Sequence, residues 1–196
     1  MLAGNKSTLA IESVITRAYE SKHFKAVGFF AIHLANFRYG ICQPEATMMG
    51  WHYGEVKARI IRRGSHTAPF SMEIDAGKIA DAVRDARYAP NQEQNEFFGF
   101  CQPEFLKLVK ASSIFWVAAE EGFENSSYIL QFDVGPRVRL IGFRLSGRKG
   151  DHHHDPSTLR DLWMEADAFY EVLERWRYGF EAEWFATPKL EDSDAW

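Results

Sequence analysis

The stretch Tyr128-Ile129-Leu130-Gln131-Phe132-Asp133-Val134-Gly135-Pro136-Arg137-Val138-Arg139-Leu140-Ile141-Gly142-Phe143-Arg144-Leu145 decides the fold class. Two runs rich in β-branched and aromatic residues, Tyr128 to Val134 and Val138 to Leu145, flank Gly135-Pro136, a pair that supports a tight turn. A link this short leaves only antiparallel pairing, because parallel strands need a crossover of a dozen or more residues. Working outward, Ile114 to Ala119 reads as a further strand, and Leu159 to Met164 as a short extended piece after the loop Ser146 to Pro156. The first third behaves in the same way. Leu9, Ile11 and Ile15 share a face of a segment ending near Tyr19, Ala26 to Leu34 follows the polar break Glu20-Ser21-Lys22-His23, and Phe37 to Cys42 follows the tight link Ala35-Asn36. These three form an antiparallel meander.

Helices occupy the middle and the end. Tyr53, Val56 and Ile60 recur at helical spacing, with Gly64 placed to stop the helix and Arg62 and Arg63 near its carboxyl end, where cations oppose the helix dipole. Asp75 is placed to cap a second helix with an inner face of Ile79, Ala82, Val83 and Ala86, ending before Pro90; the polar run Asn91 to Glu96 reads as a mobile loop. Pro103 opens a short helix through Phe105, Leu106 and Val109, and a final helix runs from Asp167 to about Phe185. Strands first and last with helices grouped between them predict an α+β fold with a mostly antiparallel sheet and about three main helices. The organisation expected is one domain over residues 1–186 and an acidic tail over 187–196.

With 196 residues, 46% of them hydrophobic and 26% charged, the chain can bury a self-sufficient core without disulfides or a structural metal. Disorder is excluded as its overall state. The most apolar stretch, Ala26 to Ala35, is about half of the roughly 20 residues a membrane span needs, and Met1 to Glu12 lacks the basic and apolar regions of a secretory signal. A cytoplasmic location without membrane attachment is expected. Cys42 and Cys101 belong to no C-x-x-C pair and read as buried reduced thiols in two strand-ending turns, Gly40 to Glu45 and Gly99 to Glu104.

Few residues offer chemistry. In Asp151-His152-His153-His154-Asp155 adjacent histidines alternate in direction along an extended loop, so three converge poorly on one ion; the loop reads as solvent-exposed and metal-free. A metal-dependent enzyme built on His152, His153 and His154 is the alternative. Ser65-His66 pairs a hydroxyl with an imidazole but lacks the surrounding pattern of a nucleophile elbow, and no P-loop, dinucleotide fingerprint or zinc-protease motif is present. No catalytic residue, cofactor or metal is assigned. Lys57, Arg59, Arg62 and Arg63 form a basic cluster on the first helix that would suit a nucleic-acid or regulatory module, yet a pI near 6.0 argues against nucleic acid. The cluster reads instead as a solvated helix face.

The last helix is the most informative segment. From Glu165 to Trp196 nine acids face three bases, a net −6 against +2 for the rest of the chain. At about 100° per residue, Phe169, Leu173, Trp176, Phe180 and Trp184 fall on one side and Asp167, Glu171, Glu174, Tyr178 and Glu181 on the other. The helix should bury an aromatic stripe and display an acidic one, with Tyr178 as an amphipathic anchor for a partner.

A resemblance joins these segments. Leu2 to Glu12, Tyr39-Gly40 with Pro44 to Met48, and Arg63-Gly64-Ser65-His66-Thr67-Ala68-Pro69-Phe70 resemble the immunity protein 42 family of bacterial polymorphic-toxin systems. The likeness continues through Tyr128 to Asp133, Arg139 to Phe143, Asp155-Pro156, Leu159 to Trp163, Phe169-Tyr170, Trp176 and Phe180 to Trp184. It implies a small cytosolic protein that binds a cognate toxin domain and neutralises it, with no catalytic residues to carry over. The acidic helix suits a basic toxin such as a nuclease, and Asp167, Glu171, Glu174, Tyr178 and Glu181 are the expected contact residues.

Overall fold

A computed structural model describes residues 1–20, 25–88, 95–116, 126–146 and 153–190. Its strands are β1 (Leu2–Gly4), β2 (Leu9–Tyr19), β3 (Ala26–Leu34), β4 (Phe37–Tyr39), β5 (Thr47–Met48), β6 (Glu96–Phe97), β7 (Phe100–Cys101), β8 (Ser127–Val134), β9 (Arg137–Arg144), β10 (Arg160–Glu165) and β11 (Lys189–Leu190). Its helices are α1 (Met49–Ile61), α2 (Ala76–Tyr88), α3 (Gln102–Ser112) and α4 (Ala166–Ala186). The class is α+β. The short helix α3, with Pro103 in its first turn, brings the helices among the described residues to four.

Three sheets replace the single one expected. The largest orders β1-β2-β3-β4, with β5 on β3 and β11 on β2. Ala35 and Asn36, both at positive φ, turn β3 into β4, and Gly40 at φ 108° ends β4 at Tyr39, short of the expected Cys42. The β8–β9 hairpin carries β10 on its far edge, while Ile114 to Trp116 bridges β8 through Phe115 and Leu130; residues 117–119 of the expected strand lie outside the described residues. A two-stranded ribbon, β6–β7, precedes α3. Among the described residues every pairing is antiparallel except β11 on β2. Thus Lys189 and Leu190, within the segment read as tail, are held beside Ala18 and Tyr19, and residues 191–196 lie outside the described residues.

The β8–β9 hairpin is buried on both faces, and this organises the molecule. Alternation sends Ile129, Val138 and Leu140 to one side, where they join Phe169, Leu173, Trp176 and Phe180 of α4 and the inner face of the large sheet. Leu130, Phe132, Ile141 and Phe143 go to the other side, against Ile79 and Val83 of α2 and Phe105 and Val109 of α3. In the large sheet Leu9, Ile11 and Ser13 of β2 lie opposite Leu34, Ile32 and Phe30 of β3 and face inward onto α1 and α4. A Cβ at Gly142 would stand 2.6 Å from the Tyr39 ring, whose hydroxyl donates to the Thr158 carbonyl at 2.6 Å, so only glycine lets the two sheets approach there. Asp75 caps α2 as expected, accepting from the Lys78 amide at 3.1 Å.

Candidate functional site

α4 packs against the inner face of the large sheet with its aromatic stripe inward. Trp176 stacks on Phe180, meets Phe30 edge-on at 5.1 Å and donates from Nε1 to Ser13 Oγ at 2.9 Å. Trp184 is half-buried and donates to the Lys25 carbonyl at 2.6 Å. The inward aromatic face is the one that helical spacing predicts.

The outward face is less uniformly acidic than its sequence. Asp167 has 92% of its side chain exposed but pairs with Arg63; Glu171 lies 3.9 Å from Arg175 one turn on. Glu181 turns aside altogether: it is half-buried, accepts from the Tyr53 hydroxyl and lies 3.6 Å from Arg177. Glu181 therefore joins α4 to α1 and is not part of an open acidic stripe. Glu174 is exposed with no ion-pair partner among the described residues, and Tyr178, 59% exposed, lies one turn beyond it with the Arg177 guanidinium 3.9 Å above its ring. Asp167, Glu171, Glu174 and Tyr178 form the solvent-facing ridge that remains.

At the start of α4 the ridge meets a polar cluster that sequence reasoning missed. Asp133, near the end of β8, accepts from the Gly64 amide at 2.8 Å, the His66 amide at 3.1 Å, the Tyr170 hydroxyl at 3.0 Å and Gln131 Nε2 at 3.2 Å. Burial and the adjacent Asp133 carboxylate push the Tyr170 hydroxyl well above the usual phenol range. A cavity of about 290 Å³ opens beside this cluster between Arg63, the Gly135-Pro136 turn, Glu165, Asp167 and Tyr170. The only sequence clue was the likeness itself, since Arg63 to Phe70, Tyr128 to Asp133 and Phe169-Tyr170 all carry it.

The basic cluster on α1 is corrected. Arg59 is 1% exposed, not solvated. Its guanidinium bonds Glu55 one turn back, Gln131 Oε1 at 2.9 Å and the Phe115 carbonyl, and lies 4.5 Å above the Trp116 ring. A buried cation persists only with such compensation. Arg62 donates to Ser113 Oγ and the Ala111 carbonyl, and of the four bases Lys57 and Arg63 are exposed, Arg63 pairing with Asp167. Ser65 and His66 do not form a nucleophile pair: Ser65 Oγ donates to the Arg62 carbonyl at 2.6 Å, while His66 is buried with Nδ1 3.2 Å from the Ser112 and Ser113 carbonyls.

The histidine loop is corrected too. His152 lies outside the described residues, and His153 is exposed. His154 is largely buried: its amide and its Nδ1 both lie 2.9 Å from Asp81 Oδ1 on α2, and its ring would collide with a Cβ at Gly77. Among the described residues no three His, Cys, Asp or Glu side chains are grouped to hold a metal.

The chain is an α+β protein with two cores around one hairpin, a cross-linked polar cluster and an exposed helical ridge. A solved structure shares this fold: the crystal structure of CdiI from Burkholderia dolosa AUO158 superposes over 91% of this chain and 99% of that one, with a TM-score of 0.55 and 13% identity. No curated protein matches in sequence. The model of the immunity protein 42 family matches residues 1–178, so the chain belongs to that family. It is an immunity protein, which binds and neutralises a cognate toxin.

Proposed function

We propose that this immunity protein acts in the cytoplasm by stoichiometric occupancy of its toxin, without chemistry of its own, and that the α4 ridge is the surface that meets the toxin. The observation that carries this reading is the exposed pairing of Glu174 with Tyr178, one turn apart, on a helix whose other side is locked in the core. Asp167 and Glu171 extend the ridge toward the Asp133 cluster. Carboxylates around an exposed aromatic favour a basic partner, whose approach they accelerate and whose apolar side chain the Tyr178 ring receives. A nuclease, which must itself hold phosphates, fits that charge.

The test is co-expression with the cognate toxin domain. Growth should be rescued, and the purified pair should run as one complex of fixed composition. Rescue by a trace of this protein, or recovery of a covalently altered toxin, contradicts action by occupancy.

A further inference from the structure

We propose that the toxin is held on the joint outer face of α1 and α4 by three exposed apolar anchors, Ile61, Tyr178 and Phe185, and that the toxin surface received there is apolar with a basic side chain set opposite Glu174. This rests on the reading that the α4 ridge meets the toxin; it adds a second helix, two anchors and the chemistry of the partner. Among the described residues Phe185 and Ile61 are the most exposed large apolar side chains, at 73% and 72%. A lone exposed apolar residue needs no explanation, but several gathered on one face mark a contact surface.

α1 and α4 lie side by side against the inner face of the large sheet and run antiparallel. Tyr53 near the start of α1 meets Glu181 near the end of α4, and Arg63 just beyond α1 meets Asp167 at the start of α4. On α4, Phe185 follows Tyr178 by two helical turns and so falls on the same stripe, ~10 Å along the axis. Glu174 lies one turn to the other side of Tyr178. On α1, Ile60 packs into the core and Arg62 reaches Ser113 and Ala111 at the end of α3, which leaves Ile61 between them facing solvent. The antiparallel register sets Ile61 beside the first two turns of α4, so Glu174 stands between Ile61 and Tyr178. Ala182 on α4 and Gly54 and Ala58 on α1 are exposed and small, and a Cβ at Gly54 would meet nothing within 4 Å, so the surface beside the anchors is low.

Charge selects the occupant. Asp167 and Glu171 have partners in Arg63 and Arg175, whereas among the described residues Glu174 has no ion-pair partner, exposed Lys57 of α1 included. A partner that covers Ile61 and Tyr178 strips water from this carboxylate, and a cation on the partner is what offsets that cost. The toxin is therefore read as an apolar surface with a base set in it. Size agrees. With helices ~10 Å apart and ~27 Å of α4 between Asp167 and Phe185, the face measures roughly 27 by 20 Å, so the complex buries on the order of 1,000 Å² there. That reaches the lower bound for a specific interface, which the stripe of one helix does not.

The test is the binding kinetics of the full chain with its cognate toxin domain. Ile61→Gln and Phe185→Gln keep helix propensity at exposed positions, so the circular dichroism spectrum should be unchanged while each speeds dissociation at least tenfold and leaves association near wild type. These losses should persist in ~1 M salt, where the screening length is ~3 Å, whereas the slower association of Glu174→Lys should fade there. Wild-type dissociation in either Ile61→Gln or Phe185→Gln, a loss that vanishes in salt, or wild-type association of Glu174→Lys at low salt overturns the proposal. Slow association with Asp167→Lys, Glu171→Lys and Glu174→Lys combined then leaves the ridge reading standing, and wild-type association there removes both. Without toxin the chain should sediment at the 22.5 kDa of one copy; a mass of twice that, reverting in Phe185→Gln, assigns the face to a second copy and overturns the proposal as well.

Discussion

The Tyr170 hydroxyl of α4 donates to both oxygens of Asp133 on β8 at 3.0 Å, and through that carboxylate the last helix is tied to the Gly64 to His66 turn that ends α1. Three elements distant in sequence meet at one side chain. Asp133→Ala leaves the Gly64 and His66 amides and the Tyr170 hydroxyl without their acceptor, at about 1–3 kcal/mol for a buried unsatisfied group. A lower thermal midpoint is expected, and Tyr170→Phe, which removes one donor and leaves the others satisfied, should cost less. Equal melting of both variants and the wild type would show that the cluster contributes nothing to stability.

Stability should fall as the pH drops from 6.5 toward 5. His52 is fully buried, stacked on Phe30 at 4.3 Å, and burial pushes its pKa down from 6.5 to about 3. His66 is lowered as well, first by burial and then by the neighbouring Arg59. The His52 ring stays neutral in the folded chain, and His66 takes up its proton less readily than in the unfolded chain, which binds protons below pH 6.5; their contribution is therefore complete above 6.5 and diminishes as the pH falls toward the folded values. For His52 this amounts to about 1.4 kcal/mol per pH unit. His52→Phe should flatten the dependence of urea midpoint on pH between 6.5 and 5, a window above most carboxylate titration; an unchanged slope would contradict the assignment.

The histidine loop divides at one residue. His154 is anchored to Asp81 through its amide and its ring, whereas His153 is mostly exposed at 3.6 Å from the same carboxylate. His154→Ala should lower stability by about 1–2 kcal/mol and His153→Ser by less than about 0.5 kcal/mol. Chemical denaturation distinguishes them, and Asp81→Asn should reproduce most of the His154 effect.

Binding kinetics locate the toxin surface. Asp167, Glu171 and Glu174 changed together to Lys should slow association strongly at low salt, with the difference shrinking as the screening length falls to ~8 Å at 0.15 M. Tyr178→Ala should act on dissociation, at about 2 kcal/mol for a central anchor. Rates that match wild type across a salt series in both folded variants would place the interface elsewhere. Glu181→Lys is not an equivalent probe, because it also breaks the Tyr53 and Arg177 contacts that join α4 to α1.

What sequence determined by itself was local. Period-two alternation set β2, β3 and the β8–β9 hairpin; Asp75 and Pro103 marked where helices start; the 3.6-residue period divided α4 into a buried aromatic side and an exposed one. Each of these depends on neighbours a few residues away, so spacing encodes it. Partnership across the chain was not encoded in that way. Arg59 reads like Lys57 in a helix pattern, yet it is buried because Gln131 and Phe115, more than fifty residues on, arrive to satisfy its guanidinium. Glu181 reads like Glu174, yet Tyr53 draws it inward. His154 reads like His153, yet Asp81 holds it. A polar side chain is solvated or buried according to whether the fold delivers hydrogen-bonding partners that offset its dehydration, and only the tertiary structure decides which partners arrive. The same holds for the β8–β9 hairpin, whose two apolar faces required two separate cores.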